Sequence, residues 1–195
     1  LPKAFAPLKS ISVDDLGPSI MYRIENGKCS PANPTHLTMK KGVVSAKFLS
    51  LSSSALGLFM VPVLSQYLWD AAVEEPAVMT FVIVSNAIFI VLSLTPLLLQ
   101  FLVKRFVVDI RYNADTKVFT TIHYGFFLNK NALRFRIEDL IDANEVMKKS
   151  KVHFPLATAF VYGRPLLLSL DEKSYTNIDI FRKLTKNIDI PPHSD

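Results

Sequence analysis

Two uncharged stretches limit what this chain can fold into. Between Lys47 and Asp70 lie 22 residues without a charge, and between Glu75 and Lys104 lie 28 more. At ~1.5 Å rise per residue, either stretch as a helix exceeds the ~30 Å hydrocarbon core of a bilayer. Buried helices of soluble proteins rarely run so far without a charged residue, so a soluble helical hairpin is the competing reading and two transmembrane helices the favoured one. The predicted helices cover about 46–69 and 77–103, joined by an acidic turn at 70–76 that holds Asp70, Glu74 and Glu75 and no base. Lys40, Lys41 and Lys47 precede the first helix, and Lys104 and Arg105 follow the second. The rule that Lys and Arg near helix ends stay on the inner side then places both termini on one face of the membrane and the acidic turn on the other.

The first helix contains FLSLSSSALGLF (48–59), four serines in twelve residues. Hydroxyls in lipid need partners, and each can bond the carbonyl one turn back or reach across to a neighbouring helix. Ala46, Ser50 and Ser54 recur every fourth residue, and Ser53 and Gly57 repeat that spacing on an adjacent stripe. Small residues at this spacing let helix backbones approach, which in lipid replaces the hydrophobic drive. Two readings fit: the stripe packs on the hairpin's own second helix, or it also recruits another hairpin, a second copy or a client. Pro62 and Pro96 each remove a backbone donor inside a predicted helix. Neither helix carries a charge in its interior, which argues against a pump, a proton relay or a gated pore.

After Arg105 the pattern turns to short β-rich pieces. Strands are predicted at 106–112 and 118–124 around a turn at 113–117, at 133–137, and at 158–162 and 166–170 around Gly163-Arg164-Pro165. A helix is expected from about Tyr175 to Lys186, with Ile178, Phe181 and Leu184 on one face and Ser174 or Thr176 as its cap. The fold class is thus membrane α+β: a two-helix transmembrane hairpin (43–105), then a small antiparallel β domain with a C-terminal helix (106–190). Residues 1–42, with prolines at 2, 7, 18, 31 and 34, read as an extended N-terminal arm with one strand near 19–24. The chain begins at Leu1 without a hydrophobic leader and reads as a mature form.

Chemistry is sparse. Cys29 has no second cysteine to pair with, and His36, His123, His153 and His193 are scattered without ligand spacing, so no metal or cofactor is expected. Phosphate loops, nucleophile elbows and zinc-protease motifs are absent, and the acids between Glu138 and Glu145 read as a solvated run. No enzyme is expected. Lys104, Arg105 and Arg111 at the helix exit, Arg134 and Arg136 on an alternating strand, and the lysines 148, 149 and 151 are candidate contacts for anionic lipid headgroups such as cardiolipin. The formal charge of +5 would also suit nucleic acid, but the bases are not interleaved with aromatics, and none is expected as a partner.

Lys47 to Leu58 with Pro62 after it, Thr95-Pro96-Leu97-Leu98-Leu99-Gln100-Phe101, the exit Lys104 to Val108 and the turn Tyr112 to Lys117 together resemble the transmembrane protein 70 family of the mitochondrial inner membrane. The likeness runs from about Ile20 to Lys186 and departs most over Met21 to Lys41, which is long and proline-rich. The resemblance implies an oligomeric assembly factor with a matrix-facing β domain and both termini in the matrix. It further implies that the partners are membrane subunits, chiefly the c subunit ring of ATP synthase and the membrane arm of complex I. A permanent accessory subunit of a finished respiratory complex and a lipid-headgroup binding module are the alternative functions.

Overall fold

In the computed structural model, which describes residues 1–150 and 156–190, the chain forms two compact units. One is continuous, Gly42–Val103, and the other joins both ends of the chain, Leu1–Lys41 and Lys104–Asp195. In chain order the elements are β1 (Ala6–Pro7), α1 (Val13–Leu16), β2 (Tyr22–Glu25), β3 (Lys28–Pro31), α2 (Pro34–Glu74), α3 (Pro76–Val103) and β4 (Asp109–Asn113). There follow β5 (Val118–Tyr124), β6 (Lys130–Phe135), β7 (Leu140–Asp142), α4 (Ala143–Ser150), β8 (Ala159–Val161), β9 (Arg164–Leu166) and α5 (Ile178–Leu184).

α2 and α3 are both long and apolar enough to cross a membrane. α2 starts twelve residues before the predicted position, because apolarity marks only the stretch suited to lipid while the helix end is set by its cap. Asn33 Oδ1 accepts a hydrogen bond from Thr35 N at 2.9 Å, and Pro34 fills the first helical position, where no donor is needed. The predicted acidic turn is mostly helix. Only Glu75 stands outside, its N–H bonded to Ala71 O at 3.0 Å and its carbonyl to the N–H groups of Val78 and Met79 at 3.1 Å.

The other unit holds a four-stranded antiparallel sheet in the order β1-β6-β5-β4 and a three-stranded one in the order β7-β8-β9. Their facing sides supply Ile110, Phe119, Leu133 and Phe135 from the first sheet and Leu140, Val161 and Leu166 from the second, closed by Phe181 and Leu184 of α5. Asn113 makes the predicted turn, its Oδ1 accepting from Asp115 N and Thr116 N. The second hairpin turns at Tyr162-Gly163, both at positive φ, so that Arg164 and Pro165 belong to β9 rather than to the turn. α5 is shorter than predicted. Its cap is Asn177, whose side chain accepts from Asp179 N and Ile180 N, rather than Ser174 or Thr176.

The first forty-one residues are not a separate arm. β1 pairs with β6, Ile20 N donates to Ile110 O at 2.9 Å, and Ile20 and Met21 are buried in the core. Gly17, at φ +68°, lies so close to β4 that a Cβ there would sit 2.9 Å from Asn113 Cα. The strand expected near 19–24 exists as β2, paired with β3 across an Asn26-Gly27 turn in which both residues have positive φ.

Candidate functional site

The small-residue stripe is where α2 and α3 meet. Ser50 is buried and its hydroxyl donates to Pro96 O at 3.2 Å, and that of Ser54 reaches Ser93 O at 3.5 Å. Gly57 is buried too. A Cβ added there would overlap Ser93 Oγ and lie 3.2 Å from Phe89 O, so the backbones touch only because glycine has no side chain. Ala46 is half-buried, while Ser53 is exposed and bonds back to Ser50 O at 3.3 Å. Three members of the predicted stripe therefore face the hairpin's own partner helix.

A second polar clamp lies nearer the turn: Asn86 Nδ2 donates to Ser65 Oγ at 2.9 Å. The sequence alone does not reveal it, since Ser65 and Asn86 are uncharged and 21 residues apart. Only the antiparallel pairing of two helices brings them together. The outward sides of the helices are apolar, with Phe48, Leu56, Phe59, Phe81, Ile88 and Leu98 all more than half exposed. A largely apolar surface over a small-residue seam suits lipid or another membrane helix.

The candidate headgroup residues are not brought together on one open surface. Lys104 and Arg136 are exposed. The Arg105 side chain is buried, only 4 % of the residue being accessible. Arg111, Thr120 and Arg134 form one row across β4, β5 and β6, but Arg111 pairs with Asp109 at 3.6 Å and Arg134 with Asp15 at 3.8 Å. The alternation in 133–137 predicts that Arg134 points to water or lipid phosphate. That face of the sheet is covered instead by the N-terminal segment, where Asn113 Nδ2 donates to Asp14 O and Asp15 O and the Ser19 hydroxyl donates to Asp109 Oδ1 at 2.5 Å. Burial pushes the Asp109 carboxyl above its usual range, against the opposing pull of Ser19 and Arg111. Of the lysine cluster, Lys148 and Lys149 are exposed on α4, and Lys151 lies outside the described residues.

His36 and His123 are both structural in their surroundings. His123 is 2 % exposed, its Nδ1 donates to Phe106 O and its Nε2 accepts from the Thr121 hydroxyl, each at 3.0 Å. Burial lowers its pKa to about 4, so the ring is neutral near pH 7. His36, in the first turn of α2, donates from Nε2 to Val108 O at 2.8 Å and stacks on Phe106. It borders a cavity of about 180 Å³ lined also by Asn33, Met39, Leu168 and Ser174. His153 and His193 lie outside the described residues. Cys29 is a free, exposed thiol on β3. Among the described residues no three His, Cys, Asp or Glu side chains gather as a metal site would need. The acids near β7 are engaged in hydrogen bonds. Asp142 accepts from Asn144 N and Asp189 N, both at 2.7 Å, and Asp139 from the Tyr162 hydroxyl at 2.9 Å.

Compared with known proteins, residues 36–186 match the family model described as the TMEM70/TMEM186/TMEM223 protein family. No curated protein and no solved structure matches the chain.

Proposed function

We propose that this chain, which belongs to the TMEM70/TMEM186/TMEM223 protein family, is a non-catalytic scaffold of the mitochondrial inner membrane that holds membrane subunits while they are assembled. The observation that carries the reading is the hairpin: a closed small-residue seam inside and a largely apolar surface outside, to which another membrane helix could pack. In this reading both helices span the bilayer, both termini lie in the matrix, and copies of the chain associate. The clients are the c subunit of ATP synthase before its ring closes and the membrane arm of complex I. A c subunit is itself a small-residue hairpin, so close helix packing suits it. Ser50, Ser54 and Gly57 serve by fixing how close the two helices stand, and exposed Ser53, beside Leu49 and Leu56, is the member of the stripe left to meet a client.

The test is capture of the tagged full chain from mitochondria in a gentle detergent, native separation, and quantitative mass spectrometry of each band. Free c subunit and early membrane-arm modules should travel with the protein, while finished complexes lack it. Ser53→Leu should reduce client capture and leave the hairpin's thermal stability unchanged. If the protein is found one-to-one in a finished respiratory complex, it is an accessory subunit and the scaffold reading fails.

A further inference from the structure

β5 ends at Tyr124 and β6 begins at Lys130, and the loop between them leaves Phe126 50 % and Phe127 71 % exposed. The two rings meet edge to face with centroids 4.9 Å apart. The loop is closed on itself: Gly125 N donates to Asn129 O at 2.6 Å, Leu128 N donates to Gly125 O at 3.3 Å, and Leu128 holds φ +61°. A Cβ on Gly125 would lie 2.8 Å from Asn131 Nδ2, so the turn is tight. Adjacent large aromatics held outward by a turn of this kind mark an interaction site rather than incidental exposure.

The position in the sheet says what they meet. β5 runs antiparallel to β4, so the end of β5 lies beside the start of β4, with Val108 N donating to Ile122 O at 2.8 Å and His123 Nδ1 to Phe106 O at 3.0 Å. Phe106 is two residues beyond Lys104, where the chain enters this unit from the apolar α3. His36, in the first turn of α2, is bonded to Val108 O at the same place. The first turn of α2 and the residues just after α3 thus both lie at the end of the sheet from which the phenylalanine loop projects. The opposite end carries the polar, exposed tip Ala114-Asp115-Thr116-Lys117. Between Asp115 and Glu138 the sequence has no acid, and exposed Lys130 flanks the loop.

We infer that Phe126 and Phe127 form an interfacial anchor that inserts among the acyl chains just below the headgroups, with Lys130 at the level of the phosphates. This rests on the proposed spanning of the bilayer by α2 and α3. It goes beyond that reading by tethering the β unit to the membrane surface at a point separate from the helices.

The experiment uses the full chain, with its single tryptophan removed by Trp69→Phe, in phosphatidylcholine vesicles containing an anionic lipid and lipids brominated at defined acyl depths. Single tryptophans are then placed by Phe127→Trp, by Thr116→Trp at the far tip, and by Ile88→Trp on the exposed side of α3. The expected result is quenching of the tryptophan at 127 chiefly by shallow bromines, quenching of that at 88 by deep ones, and none at 116. Loss of quenching at 127 with quenching kept at 88 overturns the anchor and leaves the hairpin in the membrane. Blue-shifted but unquenched emission at 127 means that protein covers the loop, which overturns the lipid assignment. Absence of quenching at 88 refutes the membrane reading itself and the anchor with it.

Discussion

Replacing Gly57 by alanine adds one methyl group where the hairpin has no space for it. The new carbon overlaps Ser93 Oγ and lies 3.2 Å from Phe89 O and 3.5 Å from Ser93 Cβ. Ser93 can rotate away only by giving up the bond from its hydroxyl to Phe89 O at 2.7 Å, and the Phe89 carbonyl is backbone that moves only with α3. Overpacking of this kind costs about 1–3 kcal/mol. Alanine's greater helix propensity returns about 0.8–1 kcal/mol, which leaves a net loss of roughly 1 kcal/mol. Gly57→Leu should be worse, because no single rotation of Ser93 makes room for four more carbons. Ser93→Gly removes both the hydroxyl and the Cβ that the methyl meets, so the double variant should recover most of the loss, with a coupling of about 1 kcal/mol. Thermal unfolding of the full chain in one detergent, measured for all four members of the cycle, reads these differences directly. If Gly57→Ala melts like the parent protein and Ser93→Gly leaves its effect unchanged, the helices do not approach at Gly57 and the reasoning fails.

Two further outcomes follow from the β unit. His123 has a folded pKa of about 4 against 6.5 for the free side chain, so the unfolded chain binds the extra proton; stability should be full above pH 6.5 and fall as pH drops toward 4, by up to about 3 kcal/mol. Melting curves at pH 7 and pH 5 should differ less in His123→Asn than in the parent, and an equal difference would show that another group titrates. Asn177→Ala removes the cap whose oxygen accepts from Asp179 N and Ile180 N, and should lower stability by about 1 kcal/mol, with Asn177→Asp retaining most of it. Hydrogen exchange confined to α5 checks the assignment, and unchanged exchange in Asn177→Ala would refute it.

The parts of the fold legible in the sequence are those whose causes are local. The β4–β5 hairpin is set by an asparagine that makes its own turn, and β5 lies over the predicted 118–124. The two apolar stretches announce their helices because charge is absent throughout each one. The order of the N-terminal segment is not legible locally because it comes from elsewhere: prolines break periodicity, yet Pro18 O is held by the N–H of Tyr112. The same holds for Arg134, since an alternating strand predicts an open face only until another segment covers it. On α2, spacing alone identified Ser50, Ser54 and Gly57 as contacts. Which helix they contact required Ser93 and Pro96 to be placed opposite.

Ile20 O accepts from both the N–H and the hydroxyl of Thr176, at 2.7 and 3.0 Å, across 156 residues of chain. A unit built from residues on both sides of the hairpin cannot close until the strands beyond α3 are present, and the whole hairpin lies in between. Bringing such distant partners together is slow, and until then Ile20 and Met21 have no core to enter. The β2–β3 hairpin can pair by itself, but Ile20 and Met21 lack their core until the strands beyond α3 are in place. Closure of the β unit thereby joins the residues before the helix pair to those after it, so the hairpin is bracketed by a fold that neither flank completes alone.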